Sequence, residues 1–143
     1  MIIHTASEGI TLARKLENES AEFYEHLSQK YTKDAETFLS FSRENKKNVI
    51  QIDRVYYGVI TDAIEGGYAF NLDPDNYAFS IGIPENASYA DILKQAVEIE
   101  NKIITFYTDA AGQSDSLMAD VPRAFRLVAK KRESRLEKLQ QLL

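Results

Sequence analysis

The sequence predicts an all-α protein: an antiparallel four-helix bundle with one long crossover between the second and third helices, in a single domain over residues 1–143. Three observations predict it. Apolar residues recur at 3-4-3-4 spacing in four separate stretches, the period of an amphipathic helix. The outer connections, Tyr31 to Lys33 and Gly112 to Ala119, are short enough to join only antiparallel neighbours. An internal repeat places Glu17 six residues before Phe23-Tyr24, and Glu100 six residues before Phe106-Tyr107.

The first helix carries Ile10, Ala13, Glu17, Ser20, Tyr24, Leu27 and Tyr31 on one stripe, and Thr5 with Glu8 three residues later forms its expected capping box. The second carries Phe38, Phe41, Asn45, Asn48, Ile52, Val55 and Val59, with Asp34 as the expected N-cap. Between the pairs, from Gly58 or Gly66 to Ala87, lies the crossover. In it Tyr68-Ala69-Phe70-Asn71-Leu72 and Tyr77-Ala78-Phe79-Ser80-Ile81 alternate around Asp73-Pro74-Asp75-Asn76, a pattern expected to form a small extended hairpin or paired loop. Its aromatic residues either cover bundle side chains or form an oligomer contact. The third helix opens at Ser88 with Asp91 three residues on, and carries Leu93, Ala96, Glu100, Ile103, Tyr107 and Ala110. The fourth begins at Asp120 before Pro122 and carries Phe125, Val128, Arg132, Arg135, Leu139 and Leu142.

Composition narrows the function classes. A net charge of −5 argues against a nucleic-acid or anionic-membrane partner, both of which require basic patches. Zero cysteine excludes disulfides, thiolate metal sites and a cysteine nucleophile. No apolar run approaches a membrane span, and the start MIIHTASEGITLARKL has no basic end followed by a long apolar segment, so a cytoplasmic location is expected. No nucleophile elbow or phosphate loop occurs in a fitting context.

Every helical stripe is interrupted near its middle by polar residues: Glu17, Asn45 with Asn48, Glu100, and Arg132 with Arg135. Either these residues lie on solvated flanks, or they form one polar layer across the bundle. The unbroken spacing through all four interruptions favours the layer. An unpaired charge in such a layer costs several kcal/mol, so its members must neutralise one another.

Over nearly its whole length the chain resembles the rubrerythrin-like group of the ferritin superfamily. The resemblance rests on the repeated Glu before Phe-Tyr, the four helices with a single long crossover, and Phe38 and Phe125 lying seven residues before the ligand positions of the second and fourth helices. It implies a ferritin-like bundle in which the first and third helices each give a Glu to a di-iron centre, and the second and fourth each give Glu-x-x-His. Glu17 and Glu100 match the first kind of ligand. The Glu-x-x-His positions fall on Asn45 with Asn48 and on Arg132 with Arg135, so neither motif is present. Shifting the register by one residue reaches Glu44 and Glu133, but rotates them about 100° from the seam, and Lys47 and Leu136 then stand where histidine is required. The remaining histidines, His4 and His26, read as end and surface residues.

The substitutions predict that Arg132 and Arg135 pair with Glu17 and Glu100 while Asn45 and Asn48 satisfy the remaining groups, a layer balanced without metal. No catalytic residue, cofactor or metal is expected; iron is expected only if the register is wrong. The leading functional expectation is a non-catalytic structural, regulatory or partner-binding protein that forms a homodimer or other homo-oligomer. The alternatives are a rubrerythrin-like di-iron oxidoreductase and a small-anion binder using the arginine pair.

Overall fold

The computed structural model describes residues 1–59, 68–114 and 120–143. The elements run β1 (Ile3–Thr5), α1 (Ala6–Lys30), α2 (Ala35–Val59), β2 (Tyr68–Leu72), α3 (Tyr89–Ser114) and α4 (Val121–Leu142), with 3-10 turns at Thr32–Asp34 and Pro74–Tyr77. The protein is all-α in class, and the four long helices contribute most of the buried core.

The ends of the helices follow from local chemistry. Thr5 accepts from the backbone of Glu8 while the Glu8 carboxylate accepts from the backbone of Thr5, the expected capping box. Ser88 and Asp91 repeat the exchange at the start of α3. Val121-Pro122 opens α4, where the missing proline N–H costs no intrahelical bond. Asp34 belongs to the 3-10 turn, and its carboxylate accepts from the Tyr89 hydroxyl. With the Tyr31 and Tyr89 rings 4.5 Å apart, this contact ties the start of α3 to the start of α2.

Helix directions can be traced through cross-helix contacts. Arg14 meets Asp53, Glu17 meets Asn48 and Glu25 meets Ser42, so α1 and α2 are antiparallel. Glu100 meets Arg132 and Tyr107 meets Phe125, so α3 and α4 are antiparallel. Tyr89 against Asp34 makes α2 and α3 parallel, and the intervening chain must therefore travel the length of the helices. It does so along α3: Asn71 bonds Gln113, Tyr77 bonds Asp109, the Asn76 carbonyl accepts from Lys102, and the Ser80 and Gly82 carbonyls accept from Gln95.

The expected hairpin within this crossover does not form. Tyr68–Leu72 pairs antiparallel with Ile3–Thr5, through Ile3 opposite Leu72 and Thr5 opposite Tyr68. Pro74 and the Asp73 side chain, which accepts from the backbone of Asp75, instead turn the chain into a 3-10 helix. Tyr77 leaves that helix buried, edge-on to Phe106 at 5.4 Å, so the residues after it follow α3. Phe70 is buried in its own chain, near Phe125 and so close to α1 that a Cβ on Gly9 would lie 2.4 Å from its ring. Phe79 is half-buried against the core. These rings cover the helices, which removes Phe70 from any exposed oligomer contact. Helix α2 continues through Gly58, and α3 through Gly112; Gly66 and Ala119, the other expected break points, lie outside the described residues.

Candidate functional site

The four stripes bury their polar interruptions together. Glu17, Asn45, Asn48, Glu100, Arg132 and Arg135 are all at most 2% exposed, and side-chain bonds join them in one layer. The solvated-flank alternative is excluded. Below and above the layer the same stripes are apolar, with Ile10, Ala13, Tyr24 and Leu27 on α1 and Phe125, Val128 and Leu139 on α4 buried in the core.

Arg132 is the centre. Its Nε donates to Glu17 Oε2 at 3.0 Å, and Nη2 donates to the same oxygen. Its Nη1 donates to both oxygens of Glu100, at 2.7 and 2.9 Å. Nη2 also reaches Asn45 Oδ1 at 3.0 Å. One guanidinium thus bridges the two repeated glutamates, using the planar fork of donors that distinguishes arginine from lysine. Asn48 Nδ2 completes Glu17 at 2.8 Å, and the Tyr24 hydroxyl completes Glu100 at 2.8 Å.

Arg135 pairs with Glu100 as expected, but at longer range, and makes its shorter contacts elsewhere. Its Nη1 donates to Asn45 Oδ1 at 2.7 Å and lies 3.6 Å from Glu100. Its Nη2 donates to the Phe41 carbonyl at 3.2 Å and to Glu44 at 2.7 Å. The guanidinium lies against the Phe41 and Tyr24 rings, 4.9 and 5.4 Å from their centres. Glu44, rotated off the seam, therefore meets Arg135 from the flank. Ser20 was another unassigned participant: its hydroxyl accepts from Asn45 at 3.0 Å and from Arg132 at 3.5 Å. The signal for Ser20 was its place on the α1 stripe, three residues after Glu17. For Glu44 it was the surplus of guanidinium donors over core acceptors.

Electrostatics follow from burial in opposition to pairing. Burial alone would raise the Glu100 carboxyl, but the charges of Arg132 and Arg135 outweigh it and hold the group below the ordinary carboxylate range. Burial also pulls the Arg132 pKa down, and the charges of Glu100 and Glu17 more than offset this, leaving it raised. The Tyr24 and Tyr107 hydroxyls are pushed well above the usual phenol range, first by burial and then by Glu100 and Glu17 respectively. Both tyrosines stay neutral, and Glu100 and Arg132 stay charged as a pair.

No family model, curated protein or solved structure matches this chain. Its chemistry must be read from its own groups. Among the described residues no cluster of three or more histidine, cysteine, aspartate or glutamate side chains is placed to hold a metal ion. His26 is exposed on α1 and His4 sits beside β2, with its ring 3.4 Å from the Phe70 carbonyl; neither is near the layer. Among the described residues no helix is long and apolar enough to cross a membrane.

Proposed function

We propose that this chain is a ferritin-like bundle of the rubrerythrin type whose di-iron layer is replaced by an internal ion-pair network, and that it serves a non-catalytic structural or partner-binding role. The observation that carries the reading is Arg132 bridging Glu17 and Glu100, the two glutamates that match the family's ligands from the first and third helices. Helix order supports the ferritin-like part: α1 and α2 antiparallel, α2 and α3 parallel, and the crossover running along α3.

The residues present do not fit a di-iron centre. Six positions would supply two carboxylates, two neutral amides and two permanent cations. Both oxygens of Glu100 and one of Glu17 already accept from Arg132, and the second oxygen of Glu17 accepts from Asn48. A divalent cation entering between the glutamates would have to displace a guanidinium and sit within contact of Arg135, with no imidazole to replace the lost interactions. At Arg132 the same saturation weighs against a small anion, since its guanidinium has no donor left without an acceptor, whereas Arg135 Nε is buried with no hydrogen-bond partner.

Anaerobic loading with ferrous iron, followed by desalting and metal analysis, tests the proposal. Iron at the background of a chain carrying Glu17→Ala and Glu100→Ala is expected. About two irons per chain, with oxo-bridge absorption on exposure to air, would overturn it and establish the oxidoreductase reading. Self-association is part of the partner-binding proposal, and a monomeric mass by light scattering across the micromolar range would remove it.

A further inference from the structure

Between α2 and α4, beside the polar layer and open to solvent, lies a cavity of about 170 Å³. Its wall on α4 is Lys131, Ser134, Arg135 and Lys138, spaced to share one helix face, and its wall on α2 includes Ser40 and Glu44. We propose that this cavity binds a phosphate-class oxyanion.

The charge balance points to an anion. Three cations and one carboxylate line the cavity; Arg135 is paired with Glu44 and lies 3.6 Å from Glu100, so the excess positive charge is that of Lys131 and Lys138. Among the described residues Lys138 has no ion pair, and the Lys131 ammonium meets only the neutral Gln51 side chain, at 3.2 Å. Arg135 is a preorganised donor. Its side chain is 1% exposed and fixed by Asn45, the Phe41 carbonyl and two aromatic rings, so presenting its charge costs no further side-chain ordering. Glu44 acts as the present occupant. Its carboxylate accepts from Arg135 Nη2 at 2.7 Å while its side chain remains 37% exposed, so it can swing into solvent and yield its place.

A tetrahedral oxyanion suits the exchange better than another carboxylate. It offers oxygens in several directions, to Arg135 at the base and to Lys131 and Lys138 at the rim, and at neutral pH it carries more charge than the Glu44 it replaces. The volume admits a single phosphate group and excludes a nucleoside within the walls. The ligand is therefore free phosphate, or the phosphate end of a small monoester whose remainder stays in solvent. This site uses the outer edge of Arg135 and does not depend on the ancestry of the buried layer.

The test is a ¹⁵N–¹H titration of the full chain with inorganic phosphate, and separately with phosphoethanolamine, against sodium chloride at matched ionic strength. Saturable shifts are expected around residues 40–44 and 131–138. The double variant Lys131→Ala/Lys138→Ala, at one half-buried and one exposed position, should keep its melting temperature to within a few degrees and weaken binding roughly tenfold, the loss of two charge-assisted contacts. Glu44→Gln removes the competing charge and should tighten binding by roughly threefold or more. Equal affinity for the two probes assigns free phosphate, and tighter binding of phosphoethanolamine assigns a monoester; both sustain the site. Absence of saturable shifts in both the native chain and Glu44→Gln overturns the proposal, as does binding that the double lysine variant leaves unchanged.

Discussion

Replacing Arg132 by leucine removes the cation that two buried carboxylates share. Four of its hydrogen bonds go to Glu17 and Glu100. In Arg132→Leu, Glu100 would retain Tyr24 at 2.8 Å and Arg135 at 3.6 Å, whereas Glu17 would retain Asn48 as its hydrogen-bond donor from the layer. Glu17 becomes the orphaned charge. Breaking a buried pair on one side costs about 3–5 kcal/mol, which for a chain of this size corresponds to a melting temperature lower by roughly 10–20 °C. Urea unfolding followed by circular dichroism at 222 nm measures the loss directly.

The loss should also depend on pH, with a definite sign. An orphaned carboxylate has its folded-state pKa raised, so the variant's deficit is largest at neutral pH and shrinks as acid protonates the group. In the native chain Glu100 is held low by the two arginines after burial is overcome, so its contribution is present above the unfolded carboxylate pKa and is lost as pH falls through the lower folded value. The native and variant stability curves should therefore converge towards acid. Adding Glu17→Gln to Arg132→Leu should recover more than half of the deficit at pH 7, because an amide removes the uncompensated charge. A loss below about 0.5 kcal/mol, constant with pH, would refute the shared-cation account.

Other perturbations probe the packing and the tyrosines. Gly9→Ala should destabilise the chain by about 1–3 kcal/mol, since its Cβ would meet the Phe70 ring at 2.4 Å; in a Phe70→Ala background the same change should become neutral or favourable, and a thermal double-mutant cycle that shows additivity would contradict the contact. Phe70→Ala alone should cost about 3–5 kcal/mol by urea unfolding, because its ring is buried against α1 and α4. Tyr24, Tyr77, Tyr89 and Tyr107 all have raised pKa values, each from burial first and then a neighbouring carboxylate. Their contribution is present below the unfolded phenol value near 10 and is lost as pH rises towards the folded values, so absorbance at 295 nm should show these four ionising together with alkaline unfolding and not before it.

Helix placement was legible because burial imposes the 3.6 period on each stripe, and the layer was legible because four interruptions of that period occur at matching depths. The capping residues Thr5, Glu8, Ser88 and Asp91 were legible because each cap is a local exchange within four residues. The partner of Tyr68–Leu72 was not. Alternation marks a strand without naming its neighbour, and Ile3–Thr5 is too short to announce itself beside the strong α1 cap. Residues 77–81 alternate as well, yet Tyr77 gains more by burying its ring on Phe106 and bonding Asp109 than by entering a hairpin. Spacing likewise fixed which faces Arg132 and Arg135 occupy, but their division of labour depends on side-chain reach: Arg132 spans both glutamates, and Arg135 turns outward to Glu44.

The polar layer also gives the bundle a reason to keep its two halves in register. The α1–α2 half brings Glu17 with two neutral amides, and the α3–α4 half brings Glu100 with two arginines. Within the buried layer the first half has one negative charge and the second one positive charge, so neither is balanced until they meet. Sliding one half along the other by a single helical turn, about 5.4 Å, would carry Arg132 out of reach of Glu17 and face it with Ala13 in one direction or Ser20 and Tyr24 in the other, none of which carries a balancing charge. An all-apolar layer would tolerate that slip, since leucine meets leucine at either level. Buried ion pairs of this kind add little net stability over well-packed apolar residues. What the six residues contribute is a large difference between the native alignment and its nearest competitors, and that difference keeps the outer faces of α2 and α4, including the wall formed by Glu44, Lys131 and Lys138, in fixed relation to one another.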